Sequence, residues 1–117
     1  MRKREYYTLV CVDMNANKPV GFLSLGPMRQ DALGNVGTIG MFVDERYQGI
    51  GVGTLLMQNV VILAKRLHLR VLFLSVFNTN KAGISLYKKF GFEEHDRLLG
   101  WLQNGYVEEI MMTKKIE

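Results

Sequence analysis

Three glycines at alternate positions, Gly49, Gly51 and Gly53 in "YQGIGVGTLLMQ" (47–58), stand where an apolar, helix-like run begins. Inside a helix each would cost about 1 kcal/mol relative to alanine. At a strand-to-helix junction they permit something a side chain forbids. Unpaired main-chain N–H groups and the positive end of the helix dipole meet there, and a bare backbone lets a phosphate come close. A tight turn needing glycine for steric reasons is the competing reading, but three alternate glycines exceed what one turn requires. A nucleoside-triphosphate loop would follow its glycines with lysine, and none follows here. A dinucleotide fold would want a third glycine near Thr54 and an acidic residue near 69–73, and "LRVLF" has none.

Other chemistry-bearing residues are sparse. Cys11 is the only cysteine, so no internal disulfide forms, and a reducing cytoplasm is the expected compartment. It reads as a strand residue rather than a nucleophile. His95 could titrate usefully, yet a lone histidine opening a strand is more often structural. No metal site is expected. Net charge is +4 with a pI near 9.3, and the basic residues are scattered. That pattern argues against nucleic acid and suits an anionic cofactor. No apolar run reaches the roughly 20 residues of a membrane span, and the basic N-terminus lacks an apolar signal core. With 117 residues, 48% hydrophobic and 22% charged, one globular domain over 1–117 is expected.

The elements that must position the glycines follow from periodicity. "EYYTLVCV" (5–12) and "PVGFLSL" (19–25) read as strands of a hairpin around the polar "DMNANK", and "VGTIGMFV" (36–43) as a third strand. Residues 52–67 carry Val52, Leu55, Leu56, Val60, Leu63, Ala64 and Leu67 on one helical face. "RVLFLSVF" (70–77), apolar on both faces, predicts a strand buried between layers. A short helix over 81–90 closes at Gly91, which can take the left-handed cap. "DRLLGWLQ" and "YVEEIMMT" flank "NG", a hairpin signal. The order β-β-β-α-β-α-β-β predicts an α/β chain (α+β type) with a mixed, mostly antiparallel sheet and two flanking helices.

"QGIGVG" (Gln48–Gly53) resembles the Q/R-x-x-G-x-G/A signature of the GNAT superfamily of N-acetyltransferases. "NKAGISLYKKFGF" (80–92) resembles its second signature, N-x-x-A-x-x-L-Y-x-x-x-G-F, with Gly83 in the usual alanine place. The spacing between them, one amphipathic helix and one strand, also agrees, and the likeness extends over residues 5–115.

That resemblance implies acetyl-CoA as donor and a primary amine (small amine, amino acid or peptide) as acceptor, by direct attack in a ternary complex. Main-chain N–H groups of Gln48, Gly49, Ile50, Gly51, Val52, Gly53 and Thr54 would cradle the pyrophosphate, with a side-chain donor from Gln48. Met41, Phe42 and Val43 would hydrogen-bond the pantetheine arm in a wedge where two parallel strands splay apart. An N–H near Met41 or Phe42 would stabilise the oxyanion. Asn80 would touch the pantetheine arm, cap its helix, or both. Tyr87 matches the tyrosine that protonates the leaving thiolate, against a packing role beside Ile84 and Phe90.

Two departures matter. Where many members carry a glutamate, this chain has Thr38, leaving Glu108, Glu109, Asp31, His95 or a relayed water as the base. One strand and two helices usual before the first hairpin are also missing from the chain. Their absence leads us to expect a homodimer, with the closing hairpin or a partner's strands covering the gap and Trp101 or Tyr106 lining the acceptor site. A CoA-binding module without turnover, or an acetyltransferase acting on protein lysines or N-termini, are the alternative functions.

Overall fold

The structure, a computed structural model, describes residues 5–28, 34–102 and 105–116, with the side chains at 101 and 102 outside that description. Tyr7–Asp13 (β1) and Lys18–Pro27 (β2) form the first hairpin, and Val36–Val43 (β3) returns antiparallel to β2. A 3-10 turn at Glu45–Tyr47 leads through the glycine loop into Val52–Arg66 (α1). Val71–Phe77 (β4), Lys81–Lys89 (α2), Glu93–Leu102 (β5) and Gly105–Lys115 (β6) complete the order. The described strands make one sheet in the order β1-β2-β3-β4-β6-β5, antiparallel except for β3 beside β4. This is the expected mixed α+β architecture.

Helix α1 lies across β1–β3 and buries Val52, Leu56, Met57, Val60 and Ala64 against Leu23, Leu25 and Ile39. Each of the larger side chains, fully buried, stabilises by roughly 1.5–3 kcal/mol, the Ala64 methyl by less. The expected stripe is corrected at one edge: Leu55 is 49% exposed while Met57 is 0% exposed. The helix presents the 52/56/60 and 57/64 rows to the sheet, a rotation that hydrophobicity alone did not distinguish. Its end is a Schellman turn, with Leu69 N–H donating to Ala64 O (2.9 Å) and His68 at φ 59°.

The expectation that β4 is buried on both faces is also corrected. Leu72, Leu74 and Val76 are buried toward the helices, but Phe77 on the other face is 47% exposed. By register that face also carries Val10, Phe22, Phe42 and Leu98, all exposed, with Phe22 and Phe42 stacked at 5.6 Å. Both described helices pack on one side of the sheet and leave this face bare. The last strand pair begins earlier than the alternation suggested, because a bulge between Glu94 and Asp96 resets the register at His95. Residues 29–33 and 103–104 lie outside the described residues.

Candidate active site

The glycine loop joins β3 to α1. Gly49 (φ 77°) and Gly51 (φ 97°) are left-handed, a conformation that costs an ordinary L-residue about 1–2 kcal/mol. Gly53 serves packing instead: a Cβ there would stand 2.9 Å from Leu86 Cδ2 of α2. The three glycines thus serve two purposes, conformation at Gly49 and Gly51 and helix–helix contact at Gly53. Among the described residues no backbone acceptor meets the N–H groups from Gly49 to Thr54; the first bond of the helix is Leu55 N–H to Gly51 O, 3.0 Å. Gly51 caps α1 without a side chain, and no acidic residue lies in the first turn. Six successive N–H donors beside a helix N-terminus fit an anion.

These donors overlook a cavity of about 430 Å³ lined by ten of the twelve candidate residues: Met41, Phe42, Val43, Gln48, Gly49, Gly51, Gly53, Thr54, Asn80 and Tyr87. Ile50 points to solvent and Val52 into the core, so both can contribute only main chain. No charged side chain is among the described lining residues. Gln48 lines the cavity; its N–H donates weakly to Glu45 O (3.5 Å) and its Nε2 donates to Val43 O (3.3 Å), so it braces the loop against the strand end.

The parallel strands part as expected. β3 and β4 pair only over Val36–Thr38 and Val71–Phe73. Beyond, a cavity of about 310 Å³ is lined by Gly40, Met41, Ser75, Val76, Asn80, Tyr87 and Glu109 among others, residues that register assigns to both faces of the sheet. Asp44 N–H donates to Val20 O (2.8 Å), and alternate strand residues point alike, so Phe42 directs its N–H to β2. Met41 and Val43 therefore face the gap. Of the pair Met41 or Phe42, only Met41 can offer an N–H there.

At the gap's other wall Asn80 caps α2, its Oδ1 accepting from Gly83 N–H at 3.0 Å. A Cβ at Gly83 would stand 2.6 Å from Asn80 Nδ2, so glycine in place of alanine lets the amide fold back. Tyr87 is 7% exposed and lines both cavities. Burial holds its phenol above the ordinary tyrosine pKa. Gly91 (φ 89°) ends α2 in a Schellman turn, with Phe92 N–H to Tyr87 O and Gly91 N–H to Lys88 O both at 3.0 Å.

The base candidates separate. Glu108 is held by Arg97 Nη1 at 2.6 Å, and Arg97 also grips Glu94. His95 is exposed at the β5 bulge. Asp31 and the side chain of Trp101 lie outside the described residues, and Tyr106 is exposed. Thr38 lines a separate hollow on the helix-free face with Tyr6 and Phe73. Of the described carboxylates among them, Glu109 alone lines the gap. One residue was missed: Tyr47 lines the cradle, donates its hydroxyl to Asp13 Oδ2 at 2.6 Å and lies under the Lys18 ammonium. That bond holds Asp13 below the ordinary carboxylate range and raises Tyr47. The only sequence signal was its place just before "QGIG".

The geometry has counterparts. Residues 1–92 match the family model described as acetyltransferase (GNAT) family. An uncharacterized N-acetyltransferase of Methanocaldococcus jannaschii is 33% identical over 108 residues, covering 88% of this chain and 46% of its own. The L-amino acid N-acetyltransferase of Escherichia coli is 30% identical over 109 residues, 91% of this chain and 65% of its own. This chain thus spans about half the length of the archaeal relative. A GNAT-family acetyltransferase of Streptococcus pneumoniae superposes with TM-score 0.86 at 24% identity, covering 96% of this chain and 67% of its own. A Salmonella typhimurium protein solved with its cofactor acetyl-CoA superposes equally well (TM-score 0.86, 21% identity, 96% and 65% coverage). The chain belongs to the GNAT family of acetyltransferases.

Proposed function

We propose that this chain is an N-acetyltransferase that moves the acetyl group of acetyl-CoA to a primary amine of a small molecule, amino acid or peptide. The N–H groups from Gly49 to Thr54 hold the pyrophosphate, and the free edge of β3 at Met41 and Val43 takes the pantetheine arm. Asn80 keeps its cap through Oδ1 and offers Nδ2 to the same arm. Met41 N–H donates to the acetyl oxygen as negative charge builds on it. Tyr87 gives its hydroxyl proton to the departing sulfur, a task suited to a phenol kept neutral by burial.

The observation that carries this reading is the run of six unpartnered N–H groups opening onto a gap that also holds Tyr87. The acetyl-CoA in the Salmonella neighbour supports the choice of donor. Thiol release from acetyl-CoA across an alkylamine, an arylalkylamine, a polyamine, free amino acids and a peptide tests it. Amine-dependent release is expected. CoA binding with no release on any amine would replace the enzyme by a binding module. For association, the part of the bare face on β1–β3, with Val10, Phe22 and Phe42 exposed, supports a homodimer in which a second copy covers that part. Lone Cys11, half-buried, fits a reducing compartment, hence the cytoplasm.

A further inference from the structure

Resting on the transfer reading above, we propose that Glu109 is the general base, taking the proton from an acceptor ammonium that enters through the helix-free face of the sheet. Cross-strand register puts Glu109 beside Phe77 of β4 and Leu98 of β5, all three directed to that face. The gap between β3 and β4 is lined by residues of both faces, so it passes through the sheet. Tyr87 reaches it from α2 on the helix side, and Glu109 from β6 on the bare side. An acid and a base thus stand at opposite mouths of one opening, the base on the side from which the amine reaches the acetyl carbon and the acid on the side of the sulfur.

Four other described carboxylates have partners. Asp13 accepts from Tyr47, Asp44 caps the 3-10 turn, and Glu94 and Glu108 are held by Arg97. No described residue donates to Glu109, and no described lysine or arginine lines the gap. A half-buried carboxylate between two apolar side chains, with no cation of its own, attracts an ammonium. The flanking Phe77 and Leu98 offer apolar surface to the carbon frame that carries it.

The step balances. Glu109 takes one ammonium proton and returns it to solvent. The freed nitrogen lone pair forms the C–N bond to the acetyl carbon, and the C–S bond breaks with its electron pair on sulfur. Tyr87 protonates that sulfur and regains a proton from solvent. The acetylated nitrogen sheds its extra proton to solvent, for a net release of one proton.

The test is Glu109→Gln, which keeps shape and removes basicity, assayed with whichever panel amine is turned over fastest. Acetyl-CoA affinity by calorimetry is expected within twofold of wild type, with kcat lower by about 10²-fold at neutral pH. Glu109→Asp should recover part of it. The deficit should shrink as pH rises toward the amine's own pKa, where the ammonium loses its proton unaided. The groups facing Glu109 do not obscure this: Phe77 and Leu98 do not titrate, the Asp96 carboxylate diagonal to Glu109 on the same face is left in place by Glu109→Gln, Glu108 and Arg97 lie on the other face, and Tyr87 ionises only above its ordinary value. Turnover within twofold of wild type, or a deficit constant with pH, overturns the proposal while leaving the transfer reading intact. A wild-type chain that turns over no panel amine overturns both.

Discussion

Tyr87 and Phe92 stand edge to face, ring centroids 6.0 Å apart, across the left-handed turn at Gly91 that ends α2. In a Schellman turn the residue just beyond the glycine packs against the one three places before the cap. Here those two residues are Phe92 and Tyr87, so the helix stop orients the proposed acid. This explains why "GF" follows the tyrosine at a fixed distance in "YKKFGF".

Substituting Tyr87→Phe keeps that edge contact and removes only the proton. If thiolate departure limits the rate, kcat should fall about 10²-fold with acetyl-CoA affinity unchanged. Steady-state kinetics beside calorimetry check this. Wild-type turnover in the Phe variant would make Tyr87 a packing residue.

The pH profile carries a sign. Activity needs Tyr87 protonated, so it is present below the folded pKa and lost as pH rises through it. Burial raises that pKa above the ordinary 10, so the descending limb of kcat should lie above pH 10. A limb near neutrality that vanishes in Tyr87→Phe would contradict the assignment.

Gly91→Ala forces a side chain into φ 89°, where its Cβ would also stand 3.1 Å from Lys114 Nζ. A loss of about 1–2 kcal/mol in stability is expected from the backbone alone. Because the turn seats Phe92 against Tyr87, kcat should drop further than acetyl-CoA affinity. Denaturant melts and kinetics together read this, and an unchanged kcat would separate the turn from the acid.

Much of this was legible in the sequence. The glycine loop was, because left-handed residues at a helix start leave a chemical trace; so were the hairpins and the helix stop at Gly91. What escaped depends on contacts distant in the chain. Leu55 and Met57 are both apolar, and only the docked sheet decides which is buried. Whether Met41 or Phe42 turns its N–H to the gap follows from pairing with β2, which composition cannot show. Tyr47 meets Asp13 across 34 residues. The apolar run of β4 suggested cover on both faces, yet the described helices lie on one.

The exposed Val10, Phe22 and Phe42 form the surface of the proposed homodimer, which leaves the acceptor entry beside Phe77 and Leu98 near the subunit boundary. Light scattering at micromolar concentration should give twice the 13.4 kDa chain mass. Phe22→Lys, at the centre of the face, should shift the mass toward one chain. A wild-type mass of 13.4 kDa with full acetyl transfer would refute the dimer.

The central claim, that the loop's N–H groups hold the pyrophosphate of acetyl-CoA, is tested most directly by calorimetric titration of wild type and Gly51→Val. A Cβ at this position would meet no atom within 4 Å, so the fold should survive, but φ 97° is disfavoured for valine and the N–H row must turn away. An affinity loss of tenfold or more is expected, since about 1.4 kcal/mol is a factor of ten. A folded Gly51→Val protein that binds acetyl-CoA as tightly as wild type would contradict the account.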